Sequence, residues 1–284
     1  MRLFTCILFT MVQSMISRTI VGSRKIIFSD PILSDMQCII SNKNQNIFCQ
    51  KNYDLYLKEN NFLNDKKLIS ISPGGFKGFY IMGVCSYIKE NYDMKKYIFS
   101  GASAGAWNSL FMTFKHDPLD IAITLLNSKE YKGKTIFGIE QTMKEIILRK
   151  YTEDDFDLRR LFIGVTSMQG GTNIYSDFDG IEDALDCCIA SSHIPFLTGG
   201  LIHKYQNQIT FDGGFSKYPY LNITPSVLHI TPSMWTNNGK KEKMRLCDYT
   251  TLFSRGAFNF IELYNQGYND TKNNKIKLDG LFVM

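Results

Sequence analysis

Gly101-Ala102-Ser103-Ala104-Gly105 decides how the rest of this 284-residue chain reads. An apolar run, Tyr97-Ile98-Phe99, precedes it, and the segment Ala106 to Phe114 follows with helical character. Strand, tight turn and helix around G-x-S-x-G form a nucleophile elbow. A serine hydroxyl is a weak nucleophile and must be exposed, oriented and met by a base. The turn tolerates only small neighbours, and Gly101, Ala102, Ala104 and Gly105 are all Gly or Ala. Ser103 also falls at a helix N-terminus, where free N–H groups favour developing negative charge. A Gly/Ala-rich turn with an incidental serine has the same spelling, so the flanking stretches carry the decision.

Upstream, Leu68-Ile69-Ser70-Ile71-Ser72 predicts a buried strand and Phe79 to Tyr92 a helix with Met82, Cys85, Tyr87 and Ile88 on its apolar face. Between them lies Pro73-Gly74-Gly75-Phe76-Lys77-Gly78, a glycine-rich loop at a helix N-terminus and so a cradle of backbone amides. A dinucleotide loop would call for an acidic residue closing a second strand about twenty residues on. That place is taken by the strand leading to Ser103. Both loops are thus expected on neighbouring parallel strands, at one carboxyl edge of a sheet. Downstream, Gln208-Ile209-Thr210-Phe211 predicts a strand running into Asp212-Gly213-Gly214, a carboxylate with open space around it. Standing alone, that would read as a common Asp-Gly turn.

Asp117 and Pro118 mark a helix start, continuing from Leu119 to Leu126. Ile139, Met143, Ile146 and Ile147 share one face of a further helix, opposite Glu140, Lys144, Glu145 and Arg149. That helix packs on the core or caps the site. Leu161 to Thr166, Asn173 to Tyr175 and Val227 to Ile230 read as strands, and Gly180 to Ser192 and Leu246 to Tyr268 as helices.

Net charge is +5 and charged residues make up 21% of the chain, far from a nucleic-acid footprint and compatible with an anionic lipid surface. The 7 cysteines form no C-x-x-C pair, so no metal site is expected. An odd cysteine count, with Cys85, Cys187 and Cys188 in buried-helix patterns, favours a reducing compartment. Leu3 to Val12 is too short to span a bilayer. It reads either as an ordinary N-terminal helix or as a signal or membrane-associating stretch. Cytoplasmic or peripherally membrane-associated placement is favoured, with secretion as the alternative. Residues 1–66 read as an irregular N-terminal extension, and 67–284 as one catalytic domain.

With the glycine loop, the elbow and the Asp-Gly-Gly turn in that order, the chain resembles the patatin-like phospholipases. Ala190-Ser191-Ser192-His193-Ile194-Pro195-Phe196 also resembles a family segment that precedes the acid strand. Pro73 departs from the family's usual first glycine. The resemblance implies a three-layer α/β/α sandwich around a mainly parallel sheet, with no cofactor. It implies cleavage of acyl esters of phospholipids or other lipids at a lipid surface. Ser103 would be the nucleophile, Asp212 the proton acceptor, and the amides of Gly74 and Gly75 the oxyanion hole, with Phe76, Lys77 and Gly78 completing the loop and Gly213 and Gly214 the acid motif. Two alternatives are an α/β-hydrolase triad using His229 and a lipid-binding protein without activity.

Overall fold

The computed structural model describes residues 26–30, 61–127, 129–131, 134–168, 171–216, 218–221, 226–235 and 259–282. The strands in chain order are β1 (Ile26–Asp30), β2 (Lys67–Ile71), β3 (Tyr97–Gly101), β4 (Leu161–Ser167), β5 (Thr172–Tyr175), β6 (His203–Tyr205), β7 (Gln208–Phe211) and β8 (Ser226–Ile230). The helices are α1 (Gly78–Asn91), α2 (Ala104–Thr113), α3 (Pro118–Leu126), α4 (Ile136–Lys150), α5 (Ile181–Ser191), α6 (Phe260–Asn273) and α7 (Lys275–Phe282).

β2, β3 and β4 are near-continuous apolar runs because they are buried on both faces, as parallel strands are. They lie side by side and parallel, with β8 parallel on the far side of β2. β5 and then β1 extend the other margin antiparallel. Side chains alternate between two cores. Ile69, Ile71, Phe99, Leu161, Ile163 and Val165 meet the helices, whereas Leu68, Ile98, Phe162 and Ile174 pack with Leu63 and Leu221 on the opposite face. Full burial of each such side chain is worth about 1.5–3 kcal/mol. The described helices all contribute to the first of these cores. This is the mainly parallel α/β sheet expected, parallel at its centre and at the β8 edge and antiparallel along the β5–β1 margin.

Local signals set the helix starts. Asp117 accepts from the Leu119 amide with Pro118 in the first turn, as its sequence predicts. Thr135 caps α4 through the Gly138 amide, and Asn259 caps α6 through the Glu262 amide.

Two expectations change. Ile26–Asp30 falls in the stretch read as irregular, yet it pairs antiparallel with β5, so part of the N-terminal extension belongs to the sheet. Glu140, expected on the polar face of α4, is turned inward and is only 9% exposed, while Lys144 on that helix does face out to Glu182 and Asp186. The apolar stripe of α4 is wider than its hydrophobic residues alone suggest. Cys85, Cys187 and Cys188 are buried free thiols. The Leu3–Val12 stretch, the other four cysteines and residues 246–258 of the expected C-terminal helix lie outside the described residues.

Candidate active site

The site forms where two strands meet head-on along one edge of β4. β3 pairs with the first half of β4, ending with Gly101 opposite Ile163. β7 pairs with the end of the same edge in the opposite direction, Phe211 facing Thr166. The chain therefore leaves β3 into the Ser103 turn and leaves β7 into Asp212 at the same place. Ser103 Oγ donates to Asp212 Oδ2 at 2.7 Å, and both residues are buried.

Ser103 takes φ 55 and ψ −129, a conformation rarely adopted by a residue with a side chain. Close approach around the turn holds it there. A Cβ on Gly105 would lie 2.1 Å from the Ile71 carbonyl oxygen, and one on Gly101 would lie 2.1 Å from that of Gly105. The Ser103 amide is fixed by Ser191 Oγ at 2.8 Å, and that hydroxyl donates to the Gly164 carbonyl at 2.6 Å. Ser191 thus ties the elbow to the gap between β3 and β7 on β4.

Asp212 is held just as closely. Its amide donates to the His193 carbonyl at 2.7 Å, its carbonyl accepts from Thr166 Oγ1 at 2.9 Å, and its Oδ1 accepts from the Gly214 amide at 2.6 Å. Burial drives its carboxyl up to about 6, partly offset by the hydrogen bonds from Ser103 and Gly214. The group is an ionised acceptor at neutral pH and a stronger base than an exposed aspartate.

The glycine loop closes the third side as a single 3-10 turn, Gly75–Lys77. The Gly74 carbonyl accepts from the Lys77 amide, and the Gly75 carbonyl from the Gly78 amide. The first amides of such a turn have no partner within it, and those of Gly74 and Gly75 are among them. Gly75 sits at φ 52. Asn108 Nδ2 joins the loop to the elbow helix, donating to the carbonyls of Gly78 at 3.1 Å and Ala104 at 2.8 Å.

Residues 69–184 match the patatin-like phospholipase family. The matched segment contains the glycine loop and the elbow and ends before Asp212. No match was found among curated proteins.

Ser103, Asp212 and Gly75 border a cavity. Its walls are mostly apolar, with Phe79, Met82, Leu110, Phe111, Ile121 and Leu125 among them. Ile136, Ile139, Met143 and Ile147 of α4 form one side, so that helix serves both the core and the site. Among the described residues no group of His, Cys, Asp and Glu is placed to hold a metal ion, and no helix is long and apolar enough to cross a membrane.

The histidines have other settings. His229, exposed on the edge strand β8, has its Nδ1 2.7 Å from Ser70 Oγ, and His116 Nε2 pairs with Asp155 at 2.7 Å. His193 is pushed down to about 4 by burial and by His203, whose ring is 5.4 Å away. Sequence reasoning missed the positions of Ser191, Thr166 and Glu140. Ser191 had a signal, since it falls in the Ala190 to Phe196 segment, but its bonds to Ser103 and Gly164 join parts of the chain far apart in sequence.

Proposed function

We propose that the chain is a serine acyl hydrolase of lipid esters, working through Ser103 and Asp212. The family match supports lipid acyl hydrolysis in general. The observation that carries the finer reading is the 2.7 Å bond from Ser103 Oγ to Asp212 Oδ2, with no imidazole between them. Asp212 takes the Ser103 proton as Oγ attacks the ester carbonyl carbon. Charge then develops on the carbonyl oxygen, and the amides of Gly74 and Gly75 are the donors offered to it. Collapse expels the alcohol with the proton from Asp212, leaving an acyl-serine. Water, deprotonated by the same carboxylate, attacks the acyl carbon, and the bond to Ser103 Oγ breaks as Oγ takes that proton back from Asp212, releasing the acid. The apolar cavity suits an acyl chain. Phe196 and Phe215, 71% and 51% exposed and close in sequence to the site residues, suit a lipid surface.

The direct test is a fluorophosphonate probe together with a panel of lipids assayed for fatty-acid release. The wild-type protein should carry the probe on Ser103 and release acid from at least one acyl lipid. Labelling at another serine, or none, would remove Ser103 from its role. The inactive lipid-binding alternative expects lipid uptake with neither result.

The pH dependence has a defined sign. Asp212 must be ionised to accept the proton, and burial lifts it to about 6. On a soluble ester, kcat/KM should therefore climb as pH rises through about 6 and then level off. An inflection that stays near 4 would mean Asp212 is not the titrating base. His229→Ala should preserve the profile and most of the rate, since its ring contacts Ser70 and Tyr220. A folded His229→Ala protein without activity would favour the triad.

A further inference from the structure

The walls of the cavity differ along its length. Gly75, Trp107, Ile136 and Ile194 border it and are exposed or half-buried. Leu110, Phe111, Ile121, Leu125 and Ile147 border the same cavity and are each 4% exposed or less. The cavity therefore has a mouth and a closed end. Its polar side chains stay with the nucleophile. Asn108 donates to the Ala104 carbonyl, Thr198 to the Ser192 carbonyl, and Glu140 lies near enough Asp212 to feel its charge. The closed end is lined by the apolar residues alone.

The helix ends supply the closure. The wall given by α1 stops at Met82, and that given by α2 stops at Phe111. Helix α3 touches both α1 and α4 and brings Ile121 and Leu125 to the cavity. Phe114 and Tyr151 follow α2 and α4 in the chain, and their rings meet with centroids 5.0 Å apart. The Tyr151 hydroxyl and Lys150 Nζ both donate to Asp120 of α3, at 2.8 and 2.6 Å. Three helices are thus tied together past the last wall residues. A chain entering from Ser103 meets a stop.

We propose that this closed end limits the length of the acyl chain the site accepts, with Phe111 and Leu125 as the stop. Ser103 caps α2 and Phe111 is eight residues on, which is roughly 12 Å along the axis at about 1.5 Å per residue. Side chains lean toward the helix N-terminus, so the Phe111 ring takes some of that length back. The space left suits an extended acyl chain of about eight to ten carbons. The alcohol part of the ester leaves through the mouth beside Gly75 and meets no such limit. The inference rests on the acyl-hydrolase reading.

The test measures kcat/KM for methylumbelliferyl esters from acetate to myristate, each kept below its aggregation limit. Butyrates of alcohols of rising length form a second arm. In the wild-type enzyme the acyl series should climb by up to about fourfold per methylene as apolar surface is buried. Beyond the decanoate it should fall, by about tenfold at the myristate, the scale of forcing extra methylenes into a packed space. Phe111→Leu should raise the myristate-to-octanoate ratio several-fold. Leu125→Phe should lower the octanoate-to-butyrate ratio several-fold. Ratios taken within one protein cancel any loss of folded enzyme, and the wild-type profile alone decides the matter if a variant does not fold. A wild-type profile that keeps rising through the myristate, or a fall that stays in place in both folded variants, would overturn the stop and leave the hydrolase reading standing. A limit confined to the alcohol arm would overturn the acyl placement. A folded wild-type protein that cleaves none of these esters would overturn both readings.

Discussion

Ser103→Ala is expected to lower kcat/KM on a soluble ester by roughly 10⁴–10⁶-fold, and adding Asp212→Asn should cost little more. Residues that act as a unit in one chemical step lose their contributions together. Oγ and Oδ2 share one proton at 2.7 Å, so neither has work to do without the other. Asp212→Asn alone should lower the rate by about 10²–10⁴-fold, because the amide keeps an acceptor for Ser103 but cannot take its proton. The four proteins of the double-mutant cycle, assayed on one ester, give the answer. Additive losses would mean that Ser103 and Asp212 serve different steps. Circular dichroism on each variant separates lost chemistry from lost structure.

Gly75→Pro should lower kcat by about 10²–10³-fold, the scale of one missing oxyanion donor. Proline has no amide hydrogen, and its φ near −65° conflicts with the φ of 52 at this position. Pro73→Gly makes the contrast. Position 73 has no amide hydrogen to lose, so activity should largely survive, with at most about 1 kcal/mol taken from stability. Its ring does have a neighbour: a Cβ on Gly214 would lie 3.1 Å from Pro73 Cγ, which places the ring against the Asp212 turn. An inactive Pro73→Gly beside an active Gly75→Pro, both folded, would move the oxyanion site out of this loop.

The parts of the site legible in the sequence are those whose cause is local. Small residues around Ser103 are demanded by contacts within a few residues and with the next strand. The glycine loop and the Asp212 turn each announce themselves in six residues or fewer. What stayed hidden depends on distant partners. Ile26–Asp30 became a strand because β5 offered it an edge. Ser191 holds the elbow only because α5 packs beside β4. Glu140 looked like one more charge on a polar face, because periodicity assigns faces by residue type. Only the surroundings, Ser192 and the cavity wall, reveal that the acid is inside.

The backbone of Ser103 has a further consequence. At φ 55 and ψ −129 a Cβ is under steric strain, of order 1–3 kcal/mol, whatever the rest of the side chain does. Glycine carries no such penalty, though it loses about 0.5–1 kcal/mol through its greater freedom when unfolded. Ser103→Ala and Ser103→Gly both delete the hydroxyl, so their difference isolates the Cβ. At an ordinary helical or strand position the alanine protein would be the more heat-resistant of the two. Here the order should reverse, with the glycine protein melting higher. The folded chain therefore carries its nucleophile at a thermodynamic loss, and an ancestor or designed relative released from catalysis would be free to recover that stability by a change at this one residue.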